Sequence, residues 1–152
     1  MSVPSRGRGM SFMSDNAFLD TNVLVYANDS AEPKKQRTAR TLIKDMLLAG
    51  SGVISVQVLS EFWVTVTGKI HKPLSVSMAR REAELFRLMT VVNLDSVLFF
   101  DALRLQQLYQ ISYRDAQIVA AALSAGCTTL YSEDLNAGQE YERVKVVNPF
   151  VD

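Results

Sequence analysis

The sequence predicts an α/β fold in which helices flank a central, mainly parallel sheet. Two observations carry that expectation. Short apolar β runs alternate with stretches of helical spacing, and strands separated by helices need crossover connections, which make neighbouring strands parallel. The chain also has 152 residues, 48% hydrophobic and 21% charged. That is a globular balance, with length enough to bury roughly 68–70% of the unfolded surface around one core.

Residues 1–15 are rich in Ser, Gly and Arg without periodicity, and read as a disordered tail before one domain over 16–152. Ala17, Phe18 and Leu19 form a short apolar run ending at Asp20, the first expected strand. Residues 22–28 read as a short helix. Pro33 suits the first turn of a longer one, with Ala39, Leu42, Ile43, Met46 and Leu47 at helical spacing and Gly50 as its stop. Val53, Ile54 and Ser55 give the second strand, followed by a helix over 56–69. Ser75 or Ser77 caps the next helix, with Met78, Leu85, Phe86 and Met89 expected on one face. Residues 91–94 are β-rich. The next helix carries Leu98, Ala102, Leu105 and Tyr109 in register. Ser112 opens a further helix that ends at Gly126, and 129–131 and 144–147 are the last strands.

Scarce residue types exclude several functions. One cysteine, Cys127, rules out an intramolecular disulfide and a four-cysteine zinc site, and one histidine, His71, rules out multi-histidine metal sites. Cys127, between a helix-ending Gly and a strand, reads as a small buried residue, and His71, flanked by Lys69 and Lys72, as a surface loop residue. The stretches 46–60 and 116–132 come closest to a membrane span, yet both carry polar residues and fall short of about 20 apolar residues. Residues 1–16 hold no continuous apolar run of the kind a secretory signal needs. The expected compartment is the reducing cytoplasm. Lys+Arg and Asp+Glu both number 16, so net charge names no partner.

Parallel α/β sheets place their sites beyond the carboxyl ends of the strands, which directs attention to the residues just after each strand. Asp20 follows the first strand, Asp134 lies three residues past Tyr131, Asp115 sits in the first turn of the Ser112 helix, and Glu61 lies in the middle of the helix after strand two. Each has a structural reading beside the functional one. Asp20 fits a helix cap assisted by Asn22, Asp115 a capping box with Ser112, and Asp134 an ordinary turn acid. Glu61, among Val58, Leu59, Phe62, Trp63 and Val64, is expected on a helix buried on most sides, and there it needs a cation or a proton. No Arg or Lys lies between Lys44 and Lys69, which leaves a distant arginine as the structural alternative. Four converging carboxylates repel by about 4 kcal/mol per pair at 4 Å and an effective dielectric of 20, so they call for counter-charge. Oxygen donors without histidine suit Mg²⁺ or Mn²⁺. Setting these four aside leaves 16 basic against 12 acidic residues, a mildly basic remainder suited to a phosphate polymer.

At these residues the chain resembles a PIN-domain ribonuclease, and within that group a VapC-type toxin of a toxin–antitoxin pair. The matching words are Phe18-Leu19-Asp20-Thr21-Asn22-Val23-Leu24-Val25-Tyr26, Ser55-Val56-Gln57-Val58-Leu59-Ser60-Glu61-Phe62, Asp115-Ala116 opening an Ala-rich helix, and Leu130-Tyr131-Ser132-Glu133-Asp134-Leu135. The ending Val146-Val147-Asn148-Pro149-Phe150 adds to the likeness, which runs from about residue 16 onward. The resemblance implies a three-layer α/β/α PIN-like fold and metal-assisted hydrolysis of RNA phosphodiesters. It makes Asp20, Glu61, Asp115 and Asp134 the catalytic, Mg²⁺- or Mn²⁺-binding acids, with Asn22 and Ser132 supporting them by hydrogen bonds. It implies an antitoxin partner and a homodimer, for which Phe62, Trp63 or Phe100 could serve as interface or as plain core.

Lys34, Lys35, Arg37 and Arg40, with Lys44, lie away from the apolar stripe of their helix and read either as RNA phosphate contacts or as a solvated face. Arg80, Arg81 and Arg87 carry the same two readings. Arg114, beside Asp115, reads as a substrate contact or an ion pair. Phosphoaspartate proteins fit less well. Their phosphatases need a second acid where this chain has Asn22, and receiver domains need paired acids after strand one and a late lysine that are missing. A processing nuclease outside toxin systems, or a silent PIN module that binds without cutting, are the remaining alternatives.

Overall fold

A computed structural model of the chain describes residues 15–151. The expected tail lies, apart from Asp15, outside the described residues. In order, the elements are β1 (Ala17–Leu19), α1 (Thr21–Tyr26), α2 (Pro33–Ala49), β2 (Gly52–Ser55), α3 (Val56–Gly68), α4 (Val76–Phe86), β3 (Thr90–Val92), α5 (Ser96–Tyr109), α6 (Tyr113–Ser124), β4 (Thr129–Tyr131), β5 (Glu140–Tyr141) and β6 (Val144–Val147).

The six strands form one sheet in the order β3-β2-β1-β4-β6-β5. All neighbours are parallel except the β5–β6 pair. The chain steps outward from β1 to β3, then returns past β1 to β4. Because crossovers between parallel strands share one hand, this reversal puts α1–α4 on one face and α5–α6 on the other, giving three α/β/α layers. The reversal also makes the gap between the carboxyl ends of β1 and β4 the switch point, where such sheets hold their sites.

The local chemistry of the elements is as the sequence suggests. Asp20, Ser55, Ser75, Asp95 and Ser112 each accept a backbone N–H at the start of a helix, satisfying donors that have no partner inside the helix. Gly50 ends α2 at φ 67°, a left-handed conformation that costs a residue without Cβ little. Phe18, Leu19, Val53, Ile54, Leu130 and Val146 from the strands are buried, as are Ala116 and residues 118–123 of α6. Fully burying one Leu- or Phe-sized side chain in this way stabilises by roughly 1.5–3 kcal/mol.

Four local expectations change. Residues 140–141 form a short antiparallel edge strand that the sequence reading lacked, because two residues are too few to show a period. Its turn holds Glu142 at φ 56°, tied down by the Tyr109 hydroxyl 2.8 Å from its N–H and by Arg104 on its carboxylate. Strand β3 spans Thr90–Val92 rather than 91–94, leaving Leu94 outside and 43% exposed. On α4 the buried positions are Ala79 and Phe86, while Met78 and Leu85 are 54% and 46% exposed; the smaller alanine lets α4 lie close to α3. Finally, α3 buries one face only, Val58, Phe62 and Val66, with Val56 and Val64 facing out.

Candidate active site

The end of β1 delivers Asp20. Its N–H bonds to the Tyr131 carbonyl at 3.0 Å, which locks the exit of β1 to that of β4. The carboxylate is completely buried. Such a group survives only when every lone pair is met. Oδ1 accepts from the Thr21 N–H at 2.7 Å and from Arg114 Nη2 at 2.8 Å. Oδ2 accepts from the Ser132 hydroxyl at 2.7 Å and from Arg114 Nη1 at 3.3 Å. Ser132, also buried, accepts in turn from the N–H groups of Asp134 and Leu135, at 3.1 and 3.2 Å, and so shapes the turn that presents Asp134.

Arg114 gathers the cluster. Besides Asp20 it grips Glu61 with Nη2–Oε1 at 2.7 Å and Nε–Oε2 at 3.3 Å, and Asp115 with Nη1–Oδ1 at 3.1 Å. Paired N–H···O contacts to both Asp20 and Glu61 use the planar fork that distinguishes arginine from lysine. Glu61 receives two further bonds, from the Thr21 hydroxyl at 2.6 Å and from Gln57 Nε2 at 3.3 Å. Burial pushes the Glu61 carboxyl up, but the bonds from Arg114 and Thr21 outweigh it and hold the group below its usual range. Burial likewise works against the Arg114 charge, and Glu61 and Asp20 more than restore it.

A second group lies toward the rim. Glu133 accepts from the Tyr26 hydroxyl and from Lys35 Nζ, each at 2.6 Å, and Lys35 also stands 4.7 Å above the Tyr26 ring centre. Asp134 is exposed, with Oδ2 3.2 Å from Asn22 Nδ2, while Asn22 Oδ1 accepts the Glu133 N–H at 3.2 Å. The two adjacent acids therefore diverge: Glu133 turns to α2, and Asp134 stays with the end of β1.

Thr21, Asn22, Tyr26, Glu61, Arg114, Asp115, Glu133 and Asp134 line one cavity of about 510 Å³, with Asp20 beneath its floor. The expected acids thus meet around one hollow, and Asn22 and Ser132 stand beside them. Arg114 is an ion-pair partner of three of the acids, and supplies the distant arginine for Glu61. Lys35 is taken up by Glu133, and Arg40 Nε donates to the Ala27 carbonyl at 2.8 Å, so neither is an unengaged cation. Lys34 and Arg37 are exposed on α2. His71 is exposed in the loop after α3, and Cys127 is buried with its thiol pushed up to about 12 by that burial. Two contributors escaped the sequence reading. Thr21 directly follows Asp20, and Gln57 lies four residues before Glu61, one helical turn away; that spacing was the available signal.

The donor set suits a hard divalent cation, since every candidate ligand is a carboxylate oxygen. One guanidinium against Asp20, Glu61, Asp115 and Asp134 also leaves negative charge in excess. Among the described residues, no three His, Cys, Asp or Glu side chains stand close enough to hold one ion in their present orientation. The Arg114 guanidinium lies between them.

A family model described as PIN domain matches residues 17–142. No curated protein matches the chain in sequence. Several solved structures share the fold. VapC20 of Mycobacterium tuberculosis, described as a sarcin-ricin loop cleaving toxin, aligns with a TM-score of 0.63 at 18% identity, covering 78% of this chain and 90% of that one. A toxin–antitoxin complex from Klebsiella pneumoniae aligns at 0.62 and 19% identity, covering 88% and 98%. VapBC2 of Rickettsia felis, solved bound to a promoter DNA fragment, aligns at 0.62 and 16% identity, covering 86% and 96%.

Proposed function

The chain belongs to the PIN domain family, and from that premise we propose that it is a metal-dependent ribonuclease acting as the toxin of a toxin–antitoxin pair. The observation that carries this reading is that Glu61, Asp115 and Asp134 line one open cavity at the β1–β4 switch point, with buried Asp20 joined to Glu61 and Asp115 through Arg114. The toxin part of the reading draws on the structural neighbours, two of which are toxin–antitoxin assemblies.

In this reading the four carboxylates hold Mg²⁺ or Mn²⁺. When bound, the ion supplies a water activated toward the phosphorus and offsets charge on the phosphate. The chain's own residues do the orienting. Thr21 N–H and Ser132 fix the Asp20 carboxylate, Thr21 Oγ1 and Gln57 fix Glu61, and Asn22 steadies Asp134. The sole imidazole of the sequence, His71, sits in the loop after α3 and does not line the cavity. An antitoxin segment that covers the cavity would block the substrate, and a homodimer fits the same reading. No helix among the described residues is long and apolar enough to cross a membrane.

The test is cleavage of RNA by the purified chain with Mn²⁺, beside Asp20→Asn. The expected result is cleavage that needs the ion and falls by about 10²-fold or more in the variant, whose circular dichroism stays native. Equal cleavage by the two proteins would remove the reading. Arrest of bacterial growth on expression, relieved by a co-expressed antitoxin, tests the toxin role.

A further inference from the structure

We propose that Arg114 is a built-in counter-cation that holds the acid cluster together without metal and must vacate it before a divalent ion can enter. The inference rests on the reading of the acids as cation ligands, and it follows from counting lone pairs. A carboxylate offers about four acceptor positions. Those of Asp20 are filled by Thr21 N–H, Ser132 Oγ and two N–H groups of Arg114. Those of Glu61 are filled by Thr21 Oγ1, Gln57 Nε2 and two more N–H groups of Arg114. Neither acid can ligate an ion while keeping all its partners.

Of those partners, Thr21 N–H is backbone, Ser132 is buried and Gln57 also donates to the Arg114 carbonyl at 3.3 Å. Only the Arg114 side chain is long, carries competing charge and can leave: it is 32% exposed on the cavity wall, in the first turn of α6. A guanidinium does not deprotonate in proteins, so it is displaced by another cation rather than released by pH. Two positive groups therefore share one set of oxygens and exclude each other. Arg114 lets the cluster fold without metal, and metal affinity is scaled down to the fraction of molecules in which Arg114 is unseated.

The experiment is calorimetric titration of the full chain with Mn²⁺, wild type against Arg114→Gln, with Tm read with and without the ion. The variant should bind Mn²⁺ about tenfold tighter. It should melt lower without the ion and gain more Tm from it, because its carboxylates lose their internal counter-charge. In wild type, the Arg114 Nε–H resonance should be present without metal and shift or vanish as Mg²⁺ is added. That measurement decides the matter alone if the variant does not fold. Equal Mn²⁺ affinities, or an Arg114 resonance unmoved by saturating Mg²⁺, would overturn the inference and leave the metal reading standing. Absence of Mn²⁺ binding in both proteins would overturn the two together.

Discussion

Two acid–base groups sit a few residues apart at the same sheet edge and are built on opposite terms. At the rim, Glu133 meets its own lysine and a tyrosine hydroxyl, one acid to one cation, both side chains partly buried. In the floor, Asp20, Glu61 and Asp115 share one guanidinium, and Asp134 adds a further charge from the side. The rim pair is locally balanced, its one acid meeting its one cation. The floor is under-compensated by design of its geometry, and carboxylates kept so close without full counter-charge fit a site that receives a cation. The contrast lies in charge balance: Glu133 lines the cavity with a lysine of its own, whereas Asp20, Glu61 and Asp115 divide one arginine among them.

The sharpest way to test that contrast is to neutralise the neighbouring acids one at a time. Asp134→Asn should lower RNA cleavage by on the order of 10- to 100-fold in the Mn²⁺ assay, whereas Glu133→Gln should leave it within about threefold. Similar losses in both would erase the distinction between these two adjacent acids. Next in size is Ser132→Ala. It leaves a buried Asp20 oxygen and two N–H groups short of a partner, at a cost of about 1–3 kcal/mol, read as a lower midpoint in urea.

The smallest effect is that of acid. Glu61 and Glu133 both titrate below the ordinary value of 4.5 in the folded chain, burial opposing and Arg114 or Lys35 prevailing. A lowered folded-state value gives stability that is present above 4.5 and lost as pH falls through the folded values. Tm should therefore hold from neutral pH to about 5 and then decline, and Glu133→Gln should remove only the rim's share of that decline. A Tm that rises on acidification would contradict the ion pairs.

Much of the fold was legible because it is written locally. The alternation of strand and helix patterns gave the parallel sheet, and the rule that sites lie past strand ends singled out Asp20 and Asp134 from sequence. Capping serines at 75 and 112 could be read or narrowed to a pair, since a cap involves residues three apart, whereas Ser55, expected as the end of a strand, also caps α3. Legibility failed where the deciding partner was distant or the segment short. The β5 hairpin depends on Arg104 and Tyr109 from another element. The inward face of α4 depends on how closely α3 approaches, which hydrophobicity alone does not record, so Met78 was expected inside and Ala79 took its place.

By itself, the sequence determined the α/β class, the ends of most elements and where Asp20, Glu61, Asp115 and Asp134 stand relative to those elements, because these depend on period, caps and residue type within a few positions. Tertiary structure alone decided which cation those acids share. Arg114 lies 94 residues from Asp20 and 53 from Glu61, and only the return of the chain past β1 brings their oxygens within reach of one guanidinium. The same closure set Glu133 and Asp134 apart, since adjacent side chains are separated by the partners that a folded sheet edge offers each of them.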